Sequence, residues 1–217
     1  MEPASAAPAN QNAQTQVPVA VLNGCSVTID SQRRIVLVSG PPASGKSTIA
    51  LPLAAALGFA LLAKDDIKES LYASMGGAPG DVAFSRRLSD AAMHLLWDLA
   101  PRCSRVVLEA NFRTHSAGER ERLASLIALR GTRLVEVFCR IPLDEAARRF
   151  AARALQGRHP AHALAKMSVG QLSEYAEPFA LGPVIEVDTG RLVDVSALVE
   201  HVRAELEPDP AAHLPDR

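Results

Sequence analysis

The octapeptide Gly40-Pro41-Pro42-Ala43-Ser44-Gly45-Lys46-Ser47 fits the spacing GxxxxGK[ST] at every defined position. The chemistry of that spacing is phosphate binding. Its glycines allow a tight turn whose backbone N–H groups face phosphate oxygens. A helix starting there adds its partial positive charge. Lys46 is the cation for the β- and γ-phosphates, and the Ser47 hydroxyl suits Mg²⁺. Thr48 joins the nucleotide-binding set. A Gly-rich turn that merely precedes a helix is the plainer alternative. The buried strand before the loop and the helix after it favour binding of a nucleotide triphosphate.

Three further groups could act on a bound phosphate. Lys64-Asp65-Asp66-Ile67-Lys68 closes a short apolar run. In parallel α/β folds ligands sit at the carboxyl ends of strands. A carboxylate there can take the proton of a hydroxyl attacking the γ-phosphate. Asp66 with Glu69 three residues on makes a capping box, so Asp66 is read as the cap and Asp65 as the base. Lys68, one turn further, is read as a substrate contact.

Val106-Val107-Leu108-Glu109-Ala110-Asn111 ends on an acid placed to hold the Mg²⁺ water shell. On this reading Glu109, Asn111 and Arg113 are also substrate contacts, with Asn111 open between the substrate and the catalytic aspartate. The plainer role for Glu109 is capping a loop. Between Arg140 and Arg158 stand five arginines and two acids. Arg149 and Arg153 share a helix face and can close over the γ-phosphate. Asp144–Arg148 and Glu145–Arg149 also have the spacing of ordinary surface pairs. Arg153 has no such acid and is the better catalytic candidate; Arg149 is open between the two roles. The loop Asp188-Thr189-Gly190 follows the last strand. Thr189 is either beside the adenine or in a plain turn.

The elements that must carry these residues alternate. Strands are expected at Ile35–Ser39, Phe59–Ala63, Arg105–Ala110, Leu134–Cys139 and Val184–Val187. Helices are expected at Lys46–Leu57, Asp66–Met75, Ser85–Leu99, Ala117–Arg130, Leu143–Gln156, Val169–Glu177 and Val193–Glu205. Leu88, Ala92, Leu95 and Leu99 share one face of the third helix; His94 and Trp97 are read as packing residues. Strand–helix alternation implies α/β architecture: a parallel sheet with helices on both faces, three layers in all. Residues 1–16 read as a disordered tail, 17–30 as a β-hairpin turning at Asn23-Gly24, 31–206 as the phosphate-binding domain and 207–217 as a second tail.

The 217 residues carry 23 Lys and Arg against 24 Asp and Glu, a net charge of −1. A surface built wholly to hold nucleic acid would show a basic excess. Cys25, Cys103 and Cys139 show no metal or disulfide spacing. With no signal peptide or membrane span expected, a cytoplasmic protein is the reading.

Together SGPPASGKST (39–48), KDDIKESL (64–71), VVLEANF (106–112) and VFCRIPLDEAARRFAAR (137–153) resemble the small P-loop kinases. The resemblance is to those related to the kinase domain of polynucleotide kinase. Zeta toxins and chloramphenicol phosphotransferase are more loosely similar. The resemblance implies a nucleoside-monophosphate-kinase-like fold with a short Arg-rich lid over about 143–167. It implies ATP and Mg²⁺ as cofactors, Asp65 as base, and Arg149 and Arg153 as lid arginines. Glu109 stands where polynucleotide kinases commonly have Asp, and Lys68 where Arg is frequent. Between 72 and 90 the only basic residues are Arg86 and Arg87. These departures favour a small-molecule acceptor (a nucleoside, sugar or antibiotic hydroxyl) over a DNA strand. A 5′-hydroxyl polynucleotide kinase and a nucleotide-dependent switch ATPase remain the alternatives. A monomer or homodimer is expected.

Overall fold

A computed structural model describes residues 19–22, 25–28, 32–157 and 159–207. The expected tails, the Asn23-Gly24 turn and Arg158 lie outside the described residues, apart from Glu207. The chain divides into two units, 1–31 and 32–217. In the first, β1 (Val19–Leu22) pairs antiparallel with β2 (Cys25–Thr28).

The second unit is an α/β sandwich. Its strands are β3 (Arg33–Ser39), β4 (Ala60–Ala63), β5 (Arg105–Glu109), β6 (Thr132–Arg140) and β7 (Val184–Asp188). They form one sheet in the order β4-β5-β3-β6-β7, and every pair is parallel. Parallel neighbours need crossovers, and here the crossovers are helices. The helices are α1 (Lys46–Leu57), α2 (Lys64–Met75), α3 (Val82–Leu99), α4 (Ala117–Ile127), α5 (Leu143–Leu155), α6 (Val169–Leu172) and α7 (Val195–Leu206). No helix among the described residues is long and apolar enough to cross a membrane.

The period of two along β3 divides the core. Val36 and Val38 face Ile49 and Leu53 of α1 and Leu198 and Val202 of α7. Ile35 and Leu37 face Leu96 and Trp97 of α3 and Leu123 and Leu126 of α4. Both faces of the sheet are therefore covered, which is why the central runs Ile35–Val38 and Val106–Leu108 are continuously apolar rather than alternating. A third, smaller cluster joins Ile141 and Ala146 to Leu172 of α6.

The apolar face read along α3 is only partly buried. Ser85, Leu88, Ala92, Leu96 and Trp97 go under, while Leu95 and Leu99 stay exposed. The helix is rolled so that Trp97 packs on Phe112, ring centroids 5.5 Å apart. An indole buries more apolar area than a leucine, so it decides the roll. His94 is exposed rather than packed. The expected helix over 169–177 is one short α turn continued by a 3₁₀ turn at Ser173–Tyr175. Ser168 caps it in a full capping box with Gln171.

Candidate active site

The phosphate loop joins β3, the central strand, to α1. Three of its residues have positive φ: Gly40 at 130°, Ala43 at 64° and Gly45 at 86°. Gly40 has no alternative, because a Cβ there would lie 2.6 Å from the Cys139 carbonyl oxygen. Gly45 is the N-cap of α1, and no side chain caps that end. The first N–H groups of α1 are thus left to an anion. Pro41, Pro42 and Ala43 are buried, as is Ser44, whose hydroxyl has no partner among the described residues. Thr48 is exposed on the first turn, and its N–H donates to Gly45 O.

Lys46 is buried, its Nζ donating to the carbonyls of Pro41 (2.7 Å) and Gly40 (3.1 Å). Burial lowers its pKa, an effect that Glu109 opposes. Glu109 ends β5, beside Val38 of β3 and Ala63 of β4. It is buried, and burial raises its pKa against the pull of Lys46. The Ser47 hydroxyl lies 3.4 Å from Glu109 Oε2. Two hard oxygens at that separation fit Mg²⁺, which takes few protein ligands and fills its shell with phosphates and water. Among the described residues no group of three or more His, Cys, Asp or Glu could hold a metal.

α2 begins at Lys64, two residues earlier than expected, with Ala63 as its uncapped N-cap. The Asp66 cap is therefore corrected. Both aspartates lie in the first turn, where the helix dipole favours them. β4 runs straight into the helix, leaving no room for a cap two residues later. Asp66 is exposed. Asp65 pairs with Lys64 at 3.0 Å. Burial pushes the Asp65 carboxyl up, but the charges of Lys64, His162 and Lys46 outweigh it and hold it at about 2.

Asp65 opens into a cavity of about 570 Å³ beside Pro42 of the loop. Lys68, Asn111 and Arg113 line the same cavity, so three expected acceptor contacts come together with the expected base. Lys68 is buried and donates to Ser85 Oγ at 2.9 Å. Arg113 reaches Glu174 at 3.4 Å, and its N–H donates to Glu119 Oε2. Ser85, Ser89, His162, Gln171 and Tyr175 also line the cavity and were not expected. They come from α3 and from segments after α5. No local spacing marks them, and only the tertiary fold gathers them.

The arginines of α5 divide. Arg149 donates from Nε to Glu145 (2.8 Å) and from a terminal nitrogen to the Thr189 carbonyl (3.3 Å). Arg148 pairs with Glu145 at 2.6 Å and Asp144 at 3.5 Å. Arg153 is exposed and makes no such pair among the described residues, yet its charge bears on Lys46. Thr189 donates from N and Oγ1 to the Arg140 carbonyl. Its Cβ lies 3.8 Å from where a Cβ on Gly45 would stand, so this loop flanks the phosphate loop.

Sheet order, central-strand phosphate loop and facing cavity define a P-loop phosphotransferase fold of the small-kinase type. The chain belongs to the AAA domain family, whose model matches residues 35–178. A solved structure from Chloroflexus aurantiacus, assigned as a kinase with no substrate named, is 30% identical. The match covers 81% of this chain and all of that one, with a TM-score of 0.70. Kti12 from Chaetomium thermophilum, solved with ADP-AlF3, shares the fold at 16% identity. That match covers 80% of this chain and all of the other, with a TM-score of 0.54. No curated protein matches the chain.

Proposed function

We propose that the chain transfers the γ-phosphoryl group of ATP to a hydroxyl of a small molecule held in the 570 Å³ cavity. The observation that carries this is the position of Asp65. It lies beside the phosphate loop and lines a cavity of ligand size, close enough for Lys46 to act on its charge. The acceptor oxygen attacks the γ-phosphorus, the bond to the β-phosphate oxygen breaks, and the acceptor proton goes to Asp65. Such transfer depends on positioning and charge stabilisation, which Lys46, the α1 N-terminus and Arg153 are placed to give. Ser47 and Glu109 would hold Mg²⁺, which supplies charge neutralisation on the phosphates.

The lining supports a small acceptor over a polynucleotide. Lys68, Arg86 and Arg113 are offset by Asp90, Glu119 and Glu174, so there is no one-sign track for a phosphate backbone. The Chloroflexus relative, assigned as a kinase, supports the reaction class.

The test is product analysis by mass spectrometry. ATP and Mg²⁺ are incubated with nucleosides, sugars, 5′-hydroxyl oligonucleotides, aminoglycosides and nucleoside antibiotics. Asp65→Asn runs alongside. A small acceptor that gains one phosphate with the wild type, but not with the variant, is the expected result. Equal ADP release by both proteins with no phosphorylated acceptor would overturn it in favour of a switch ATPase.

A further inference from the structure

α2 carries Asp65, Lys68 and Glu69 at three- and four-residue spacings, which puts them on one helix face. Residues 159–163 are tied to that face. His162 Nε2 lies 2.9 Å from Glu69 Oε1. The His159 ring meets the edge of Tyr72, also of α2, with centroids 5.7 Å apart. From α3, Ser85 Oγ donates to the Ala161 carbonyl at 2.6 Å and accepts from Lys68 Nζ. The Ala163 N–H reaches the same oxygen at 3.4 Å. The strap also holds its own shape: the Ala161 N–H donates to His159 Nδ1, and the His162 N–H to the His159 carbonyl.

A segment with Pro160 and two histidines ordinarily runs over the surface in water. Here His159 and Pro160 are exposed, but the next two residues turn inward. Ala161 is fully buried, and the His162 side chain is 8% exposed. His162 lines the cavity with Asp65, and its charge helps hold the Asp65 carboxyl low. Burying an imidazole there, against a glutamate and beside the candidate base, has no counterpart in the packing needs of the sheet. Neither apolar layer of the sheet includes the strap.

We propose that His162 is a positioning residue for phosphoryl transfer: the seated strap sets its imidazole against Glu69 and beside Asp65, and so fixes the carboxylate that receives the acceptor proton. This rests on the assignment of Asp65 as base. Ser85 is the clamp that seats the strap, and Glu69 orients the ring. The arrangement completes the proton-accepting wall only when a segment distant in sequence is docked on α2.

The test is a double-variant cycle on ADP release from ATP and Mg²⁺, with water as acceptor. His162→Asn, Asp65→Asn and their combination are compared, with Ser85→Ala as an independent way to loosen the strap. His162→Asn is expected to lower kcat by about tenfold or more and to leave KM for ATP unchanged, as for a misplaced reacting group. In the Asp65→Asn background it should cost nothing further, because the carboxylate it positions is gone. Ser85→Ala should lower kcat in the same direction with the ring intact. Equal fractional losses in both backgrounds, or a rise in KM with kcat unchanged, would overturn the proposal and leave His162 as packing. If Asp65→Asn alone has no effect on kcat, the assignment of the base fails. That is a different result from additivity.

Discussion

The Ser39 hydroxyl donates to Glu136 Oε1 at 2.6 Å in the interior of the sheet, on the last residue before the phosphate loop. Glu136 is fully buried and also accepts the N–H groups of Phe179 and Ala180. Ala180 is a non-glycine residue at φ 52°, so the carboxylate holds a strained turn as well as the strand end. Glu136→Ala would orphan three donors, and about 3 kcal/mol of stability should be lost in urea unfolding. Burial pushes the Glu136 carboxyl above its ordinary value of 4.5, against the pull of its hydrogen bonds. A raised folded value means this contribution is greatest below 4.5 and shrinks as pH rises through the raised value. Glu136→Gln lacks that dependence. Its deficit against wild type should therefore narrow between acid and neutral pH. A loss under about 1 kcal/mol for Glu136→Ala would show that water replaces the carboxylate.

Glu136 also marks what local sequence could not show. The apolar run of β6 and the loop motif of 40–47 are short-range patterns, and both lie where spacing puts them. A lone acid inside an apolar strand carries no periodic signal, and its partners are 43 and 97 residues away. The Asp66 cap failed for a related reason. The box spacing is real, but β4 runs directly into α2 and the backbone at 66 is already helical. Glu69, free of that box, lies against His162 instead. No spacing marks the strap, because its burial depends on Ser85 and Glu69 from two other elements. What the sequence shows well is chemistry carried on one loop. The walls of the cavity beside Asp65 come from elements that meet only in the fold.

Gly40 and Gly45 should not respond alike to an added methyl. At 40 the Cβ would fall 2.6 Å from the Cys139 carbonyl, so the loop must shift. At 45 the nearest atom is 3.8 Å away, and the cost is only that of the left-handed backbone, about 1–2 kcal/mol. Titration calorimetry with a non-hydrolysable ATP analogue and Mg²⁺ should show Gly40→Ala binding at least about tenfold more weakly than Gly45→Ala, a gap of ~1.4 kcal/mol. Equal affinities would mean that the Cys139 carbonyl does not confine the loop.

Lys46 should separate stability from activity. Its ammonium is buried on two loop carbonyls, and burial disfavours the charge. Lys46→Met removes the charge but keeps the stem. Relief of the charge's burial offsets the loss of its two carbonyl bonds and of its attraction to Glu109, so the unfolding midpoint without nucleotide should change little. Turnover should fall by about a hundredfold or more, because a preorganised cation facing the transferred group is lost. A variant that unfolds readily would assign Lys46 a structural role instead.

Asp65 supplies the prediction with the clearest sign. Its carboxyl sits at about 2, below the ordinary 3.8. The unfolded chain therefore holds that proton more tightly than the folded chain does. The ionised form favours folding above 3.8, and the benefit is lost as pH falls through about 2. Between about pH 5 and 9 Asp65 stays ionised, and on the proposed reading so weak a base would take the proton late, after the acceptor oxygen has begun to bond to phosphorus. The pH profile of kcat should then show no rising limb from Asp65 over that range. Lys64 is the largest influence holding the carboxyl low, through its charge and its 3.0 Å hydrogen bond. Lys64→Met should raise the Asp65 value towards the ordinary carboxylate range and still leave the profile flat near neutrality. Steady-state kinetics of both proteins across this range decide the matter. A rising limb near pH 6 that moves when Lys64 is replaced would mean that the base titrates within the working range and that Lys64, not the cavity, sets its basicity.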